Sequence, residues 1–173
     1  IDDCKKFQLI SKDYSKVIWV GMEYRYMPPV NKLIERVHNK TLGKLKMVSI
    51  REHRFPFLKK VDNWNRFDSN TGGTMVEKCC HFFDLMRFIT QSEVKQVFAS
   101  GSQDVNHLDE KYSGKVPDII DNGFVIIDFQ SGVRGLLDLC MFAENSEYQE
   151  EVVAVGDKGK IEAFVPSHDS GKN

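Results

Sequence analysis

The chain has 173 residues, 41% of them hydrophobic and 28% charged, and a formal net charge of −1 at pH 7. That is the composition of one globular domain able to bury a sizeable core. It excludes a broad electrostatic pull toward nucleic acid or anionic membranes, and no apolar run is long enough to span a bilayer.

Asp2 to about Tyr14 is predicted as a helix capped by Asp2 or Asp3, with Phe7, Leu9 and Ile10 as a short apolar face. Val17-Ile18-Trp19-Val20, ending at Gly21, is predicted as a short buried strand. Pro28 and Pro29, tolerated in a first turn, open a second helix whose Val30, Leu33, Ile34 and Val37 share one face. Lys44 to Phe55 alternates as a long strand, with Leu45, Met47, Ser49, Arg51 and His53 on one side and Lys46, Val48, Ile50 and Glu52 on the other. Neither side is fully apolar, so the far end of this strand is expected to emerge from the core. Pro56 to Thr71 reads as a long polar loop carrying Trp64 and Phe67, the kind of segment that rims a site. Trp64 suits a packing anchor as well as a substrate contact.

Gly72-Gly73 leads into a predicted helix running to Phe88 and beyond. Met75, Cys79, Phe82, Met86 and Ile89 recur as its buried face. Glu77, His81 and Asp84 recur as a second stripe of ionisable groups, an arrangement able to move protons. Thr74 is the expected N-cap, with Glu77 completing a capping box. Each member of the stripe also has a plain structural reading: Glu77 as a cap, His81 as a hydrogen-bonded helix histidine, Asp84 as a surface acid.

Val94 to Gln103 is predicted as a strand, and Asp104 to Asp118, with Gly114 and Pro117, as a loop. Asn122–Phe129 and Val133–Phe142 form a hairpin about Gln130-Ser131-Gly132. Tyr148–Val155 and Lys160–Val165 are strands joined at Asp157-Lys158-Gly159, and the tail from Pro166 to Asn173 is expected to fray. The pattern is α+β: an open, mostly antiparallel sheet with helices on one face, whose other face needs cover. Cys4, Cys79, Cys80 and Cys140 lack a zinc-type Cys-x-x-Cys pair and read as reduced thiols of a cytoplasmic protein.

Gly72-Gly73, Glu77, His81 and Asp84, spaced by three, three and two residues, resemble the signature helix of the Gfo/Idh/MocA family of sugar and inositol oxidoreductases. The resemblance extends in order along the chain. Val20 to Pro28 looks like the crossing from the nucleotide domain into the substrate domain, and Asn63-Trp64-Asn65-Arg66 like the tryptophan-bearing loop. Asp121 to Asp138 looks like the late hairpin, and Val155 to Glu162 like the turn that follows.

The resemblance implies an enzyme that oxidises a sugar or cyclitol alcohol, or reduces the matching ketone, with NAD or NADP. It implies a division into a Rossmann-domain remnant at 1–27, its last helix and strand, a substrate and oligomerisation domain at 28–165, and a flexible tail at 166–173. The sequence holds no G-x-G-x-x-G, no Walker-type phosphate loop and no Glu-Lys-Pro motif. The chain is therefore expected to be a C-terminal fragment, inactive alone and binding no NAD(P) by itself. By resemblance His81 is the acid/base and Glu77 stands where the family usually has aspartate. Lys78, Trp64 and Asp84 are candidates for substrate binding, and Arg25 for the nicotinamide side or for a salt bridge across the junction. The expected partners are a small polyol or sugar and further copies of the chain through the sheet face. Two other readings stand beside this one: a non-catalytic binding or assembly module of the same fold, and a metal site at Glu77, His81 and Asp84, which no added ligand motif supports.

Overall fold

The computed structural model describes residues 2–166. Six strands form one open sheet in the order β2-β3-β4-β1-β5-β6: β1 (Leu45–His53), β2 (Val94–Ser102), β3 (Asn122–Phe129), β4 (Arg134–Cys140), β5 (Tyr148–Gly156) and β6 (Lys160–Pro166). All neighbours are antiparallel except β1 and β4, which run parallel at the centre. Alternation sends Val48 and Ile50, Val125 and Ile127, Leu137 and Leu139, and Val152 and Ala154 to the same side, where they make the core. Helix α2 (Pro28–His38) lies over β5 and β6 with Val30, Leu33, Ile34 and Val37 buried, and α5 (Cys80–Thr90) lies over β1 with Phe82, Leu85, Met86 and Ile89 buried. The opposite side of the sheet leaves Met47, Phe124, Ile126 and Leu136 exposed. No helix among the described residues is long and apolar enough to cross a membrane.

Three local expectations are corrected. Helix α1 (Asp2–Ser11) forms, but Val17 to Val20 is not a strand. Val17 is 93% exposed and Trp19 67%. A strand is held by a neighbour's backbone groups, and none of the described strands lies beside this run. The far end of β1 does not emerge from the core, because Glu52 is fully buried. The long loop contains 3₁₀ turns within Val61–Arg66, interrupted by a kink where Asp62 and Asn63 take left-handed backbone angles (φ 53° and 54°), and a short helix, α3 (Asp68–Thr71). Of the tail, Pro166 closes β6 and the rest lies outside the described residues.

The predicted signature helix is two helices, α4 (Thr74–Glu77) and α5, broken at Lys78 and Cys79. Its cap also differs. Gly73, at φ 74° and ψ −179°, occupies the N-cap in a region that only glycine adopts readily, and a Cβ there would run into the Asp68 carboxylate. Thr74 instead donates its hydroxyl to the Ile120 carbonyl at 2.5 Å, tying α4 to the approach of β3. No capping box forms, and Glu77 is engaged elsewhere.

Candidate active site

A 3₁₀ turn, Glu23–Tyr26, grips the broken helix with three consecutive side chains. Glu23 Oε2 lies 3.5 Å from His81 Nδ1, a nitrogen that is buried and has no hydrogen-bond partner. Tyr24 sets its ring 5.4 Å from the His81 ring and 5.2 Å from Phe82, and its hydroxyl reaches into the core. Arg25 makes a two-pronged pair with Asp84, through Nε at 2.6 Å and through Nη2, and its guanidinium covers the Phe88 ring. Glu77, on α4, and His81 and Asp84, on α5, therefore do not share one set of partners. Among the described residues no cluster of three metal-ligating side chains occurs.

Glu77 accepts from Lys60 Nζ at 2.6 Å, and the same ammonium lies 5.2 Å from the centre of the Trp64 ring. The rim loop thus brings a cation and an aromatic surface to the acid one turn before His81. Trp64 is 41% exposed, so its ring is available to a ligand as well as to Lys60. Lys60 and Glu23 were not singled out by the sequence. Neither sits in a spacing that signals a site, since each is brought there by a loop.

Lys78, at the helix break, turns inward. Its ammonium donates to the Tyr24 hydroxyl at 2.6 Å and lies 3.1 Å from Glu52 Oε1 and 3.9 Å from Glu150 Oε1, between the Tyr24 and Phe82 rings. Tyr24 in turn donates to Glu150 Oε1 at 2.7 Å, as does Gln149 Nε2 at 2.5 Å. Burial raises the Tyr24 phenol far above its ordinary range, with Glu52 and Glu150 adding to it. The ammonium is thus committed to buried carboxylates and a phenol. Glu52 had a legible signal: it shares the β1 side of Val48 and Ile50, and an acid on a core face calls for a cation.

The β2–β3 connection braces the rim loop. Buried Arg66 donates to Glu110 Oε2 at 2.9 Å and to the Phe57 carbonyl at 3.1 Å, while His107 Nδ1 and the Tyr112 hydroxyl also meet the Glu110 carboxylate. Burial opposes the Glu110 charge, but the hydrogen bonds from Tyr112, His107 and Arg66 outweigh it and hold the carboxyl at about 2. Its folded value lies below the unfolded one, so the brace stabilises above pH 4.5 and is lost as pH falls from there toward about 2. Glu110→Gln is expected to lower the thermal midpoint at neutral pH, with the gap to wild type closing over that acid window. A gap that stays constant as the pH is lowered would remove the brace.

A cavity of about 520 Å³ lies at the far end of α5, lined by His38, Lys44, Thr90 and Lys158 among others, and neither Glu77, Lys78 nor His81 lines it.

A family model described as the oxidoreductase family, C-terminal alpha/beta domain, matches residues 34–173. Myo-inositol 2-dehydrogenase of Thermotoga maritima is 32% identical over 151 residues, covering 87% of this chain and 42% of that protein. Among solved structures, GenD2 from gentamicin A biosynthesis in complex with NAD has a TM-score of 0.77 at 20% identity, over 92% of this chain and 43% of that one. Aldose-aldose oxidoreductase from Caulobacter crescentus complexed with glycerol has a TM-score of 0.75 at 19% identity, over 98% and 48%. At those identities the two structures establish likeness of fold. The chain spans less than half the length of the curated relatives it matches.

Proposed function

The chain belongs to the Gfo/Idh/MocA oxidoreductase family through its C-terminal α/β domain, and on that premise we propose that it is the substrate-side domain of a cytoplasmic NAD(P)-dependent dehydrogenase acting on a sugar or cyclitol hydroxyl. Residues 28–165 form the substrate and oligomerisation domain in this reading, and residues 1–27 the end of a nucleotide-binding domain. The observation that carries it is His81: half-buried, with Nδ1 enclosed beside Glu23 and making no hydrogen bond.

Alcohol oxidation parts a hydride from carbon and a proton from oxygen, and a bound NAD or NADP supplies the hydride acceptor. This chain's residues fit the proton half. With Nδ1 enclosed beside Glu23, exchange with a substrate hydroxyl falls to Nε2. Glu77, fixed by Lys60, receives or orients a neighbouring hydroxyl, and Trp64 offers a ring to the C–H face of a polyol. Lys78 acts from beneath, by position. Arg25 and Asp84 satisfy one another and serve to hold the turn at the junction, so only the guanidinium edge away from Asp84 is left for a nicotinamide and little of Asp84 for substrate. The sequence carries no G-x-G-x-x-G turn of the kind that holds a dinucleotide pyrophosphate.

The test is a panel of cyclitols and aldoses with NAD⁺ and NADP⁺, assayed on the full-length protein by reduced-nicotinamide absorbance. Turnover of a cyclitol or aldose is expected. Tight dinucleotide binding without turnover of any polyol would replace the dehydrogenase with a binding module.

The outer sheet face is assigned to self-association, because Met47, Phe124, Ile126 and Leu136 leave apolar surface in water. Light scattering at micromolar concentration is expected to give a dimer or larger species, and Ile126→Asp to shift it toward monomer. A wild-type monomer would remove this assignment.

A further inference from the structure

We infer that Glu52 is a positioning residue of this site: sealed beneath the break between α4 and α5, its carboxyl group latches Lys78 and so holds the stretch carrying Glu77 and His81, and loss of its proton loosens the latch. The catalytic meaning rests on the reading of His81 above; the latch does not.

The latch is built from two acids that the sheet forces together. Glu52 on β1 stands directly opposite Glu150 on β5, both on the core side and both buried. Like charges so placed repel. The nearby cations sit on one side. Lys78 and Arg54 both address Glu52 Oε1, at 3.1 and 3.4 Å, while Oε2 is buried and receives no hydrogen bond. An ionised carboxylate with one bare oxygen in the core bears the full cost of its lost hydration, and a neutral carboxylic acid bears much less.

The other groups facing it leave Glu52 as the titrating member. From the 3₁₀ turn comes the Tyr24 phenol, which stays protonated. From the helix break come Lys78 and the Cys79 thiol, the latter pushed up to about 12 by burial. From β5 come Glu150 and the neutral amide of Gln149. From the residues after β1 comes Arg54. Burial lifts the Glu52 carboxyl to about 7, opposed by Lys78, reinforced by Glu150 and opposed again by Arg54.

The direction of the effect follows by linkage. Opening the break returns Glu52 to water and to its ordinary value of 4.5. The closed arrangement is therefore favoured fully below pH 4.5, and its advantage is lost as pH rises toward about 7. What is released is specific. Lys78 holds the Tyr24 hydroxyl, and the residue before Tyr24 is Glu23, the partner of His81. The amides of Lys78 and Cys79 donate to the Thr74 carbonyl at 3.0 and 3.1 Å, so they report opening directly.

The experiment is hydrogen–deuterium exchange of the segment spanning residues 74–82 in the full-length protein, corrected for the intrinsic pH dependence of amide exchange. In wild type, opening is expected to rise by up to about tenfold per pH unit between pH 5 and 7, the slope of one linked proton. In Glu52→Gln that rise should vanish, whatever the variant does to overall stability. Tyr24→Phe keeps both carboxylates and should keep the rise from a higher starting level. A flat wild-type profile overturns the inference, and so does a rise that survives in Glu52→Gln. If Glu52→Gln does not fold, wild type and Tyr24→Phe decide the matter by the presence or absence of the rise in both. Exchange requires neither cofactor nor turnover, so an inactive protein leaves the latch standing, and a flat profile leaves the role of His81 standing.

Discussion

His81→Ala in the full-length protein is expected to lower kcat by roughly 10²–10⁴-fold, the usual contribution of a general acid–base group, with little change in thermal midpoint. The fold should tolerate the change because the buried side of the broken helix is carried by Cys79, Phe82, Met86 and Ile89. Nothing polar in the core is orphaned by it either: Nδ1 makes no hydrogen bond, and Glu23, 54% exposed at its side chain, returns to water. What is lost in packing is the contact with the Tyr24 ring. If His81 were only a structural histidine, the pattern would reverse, with a lowered midpoint and near-normal turnover in the protein that remains folded. Measuring both quantities on one preparation separates the cases, and unchanged kcat would end the acid/base assignment. Glu77→Gln sharpens the result. It leaves Lys60 solvated, so kcat should fall modestly if Glu77 orients the site and as far as in His81→Ala if Glu77 meets the substrate hydroxyl.

Lys78→Ala should be the most destabilising single change near the site, by about 3–5 kcal/mol, the cost of breaking a buried ion pair from one side. Glu52 and Glu150, 0% and 3% exposed at their side chains, would face one another without the ammonium that separates them. Chemical denaturation at pH 8 and pH 5 adds a second readout. Glu52 takes up a proton at the lower pH, so the loss should shrink there. The double variant Lys78→Ala/Glu52→Gln should recover part of it. A loss under about 1 kcal/mol at both pH values would mean that Lys78 is solvated and the cluster is not the anchor described.

Much of this architecture was legible in advance. Strand β3 runs over the predicted residues, α2 buries the predicted four side chains, and the turns before β4 and β6 fall at their glycines. The helix break was not legible, because Met75, Cys79 and Phe82 keep a helical spacing whether or not the backbone is continuous. The backbone breaks after Glu77, where Lys78 is turned toward acids contributed by distant strands, and nothing local encodes that. Val17 to Val20 misled for a related reason. An apolar run has strand character only where another strand receives it, and a single segment carries no record of its neighbour. Glu77, His81 and Asp84 could be named from the sequence as candidates, but not the partners each of them takes. Lys60, Glu23 and Glu52 arrive from a loop, a turn and a strand, and no motif joins them.

The parallel contact between β1 and β4 has a consequence for how the chain is made. His53 on β1 meets Asp138, 85 residues later, and Arg51 meets Glu151, 100 residues later. Both flanks of β1 are filled by strands synthesised long after it. While the chain leaves the ribosome, β1 waits with both hydrogen-bonding edges unpaired, and closing its loops carries an entropic cost before any pairing compensates. Refolding should accordingly be slow for a domain of this size, and truncation before β4 should yield an aggregating nascent chain rather than a smaller stable fold.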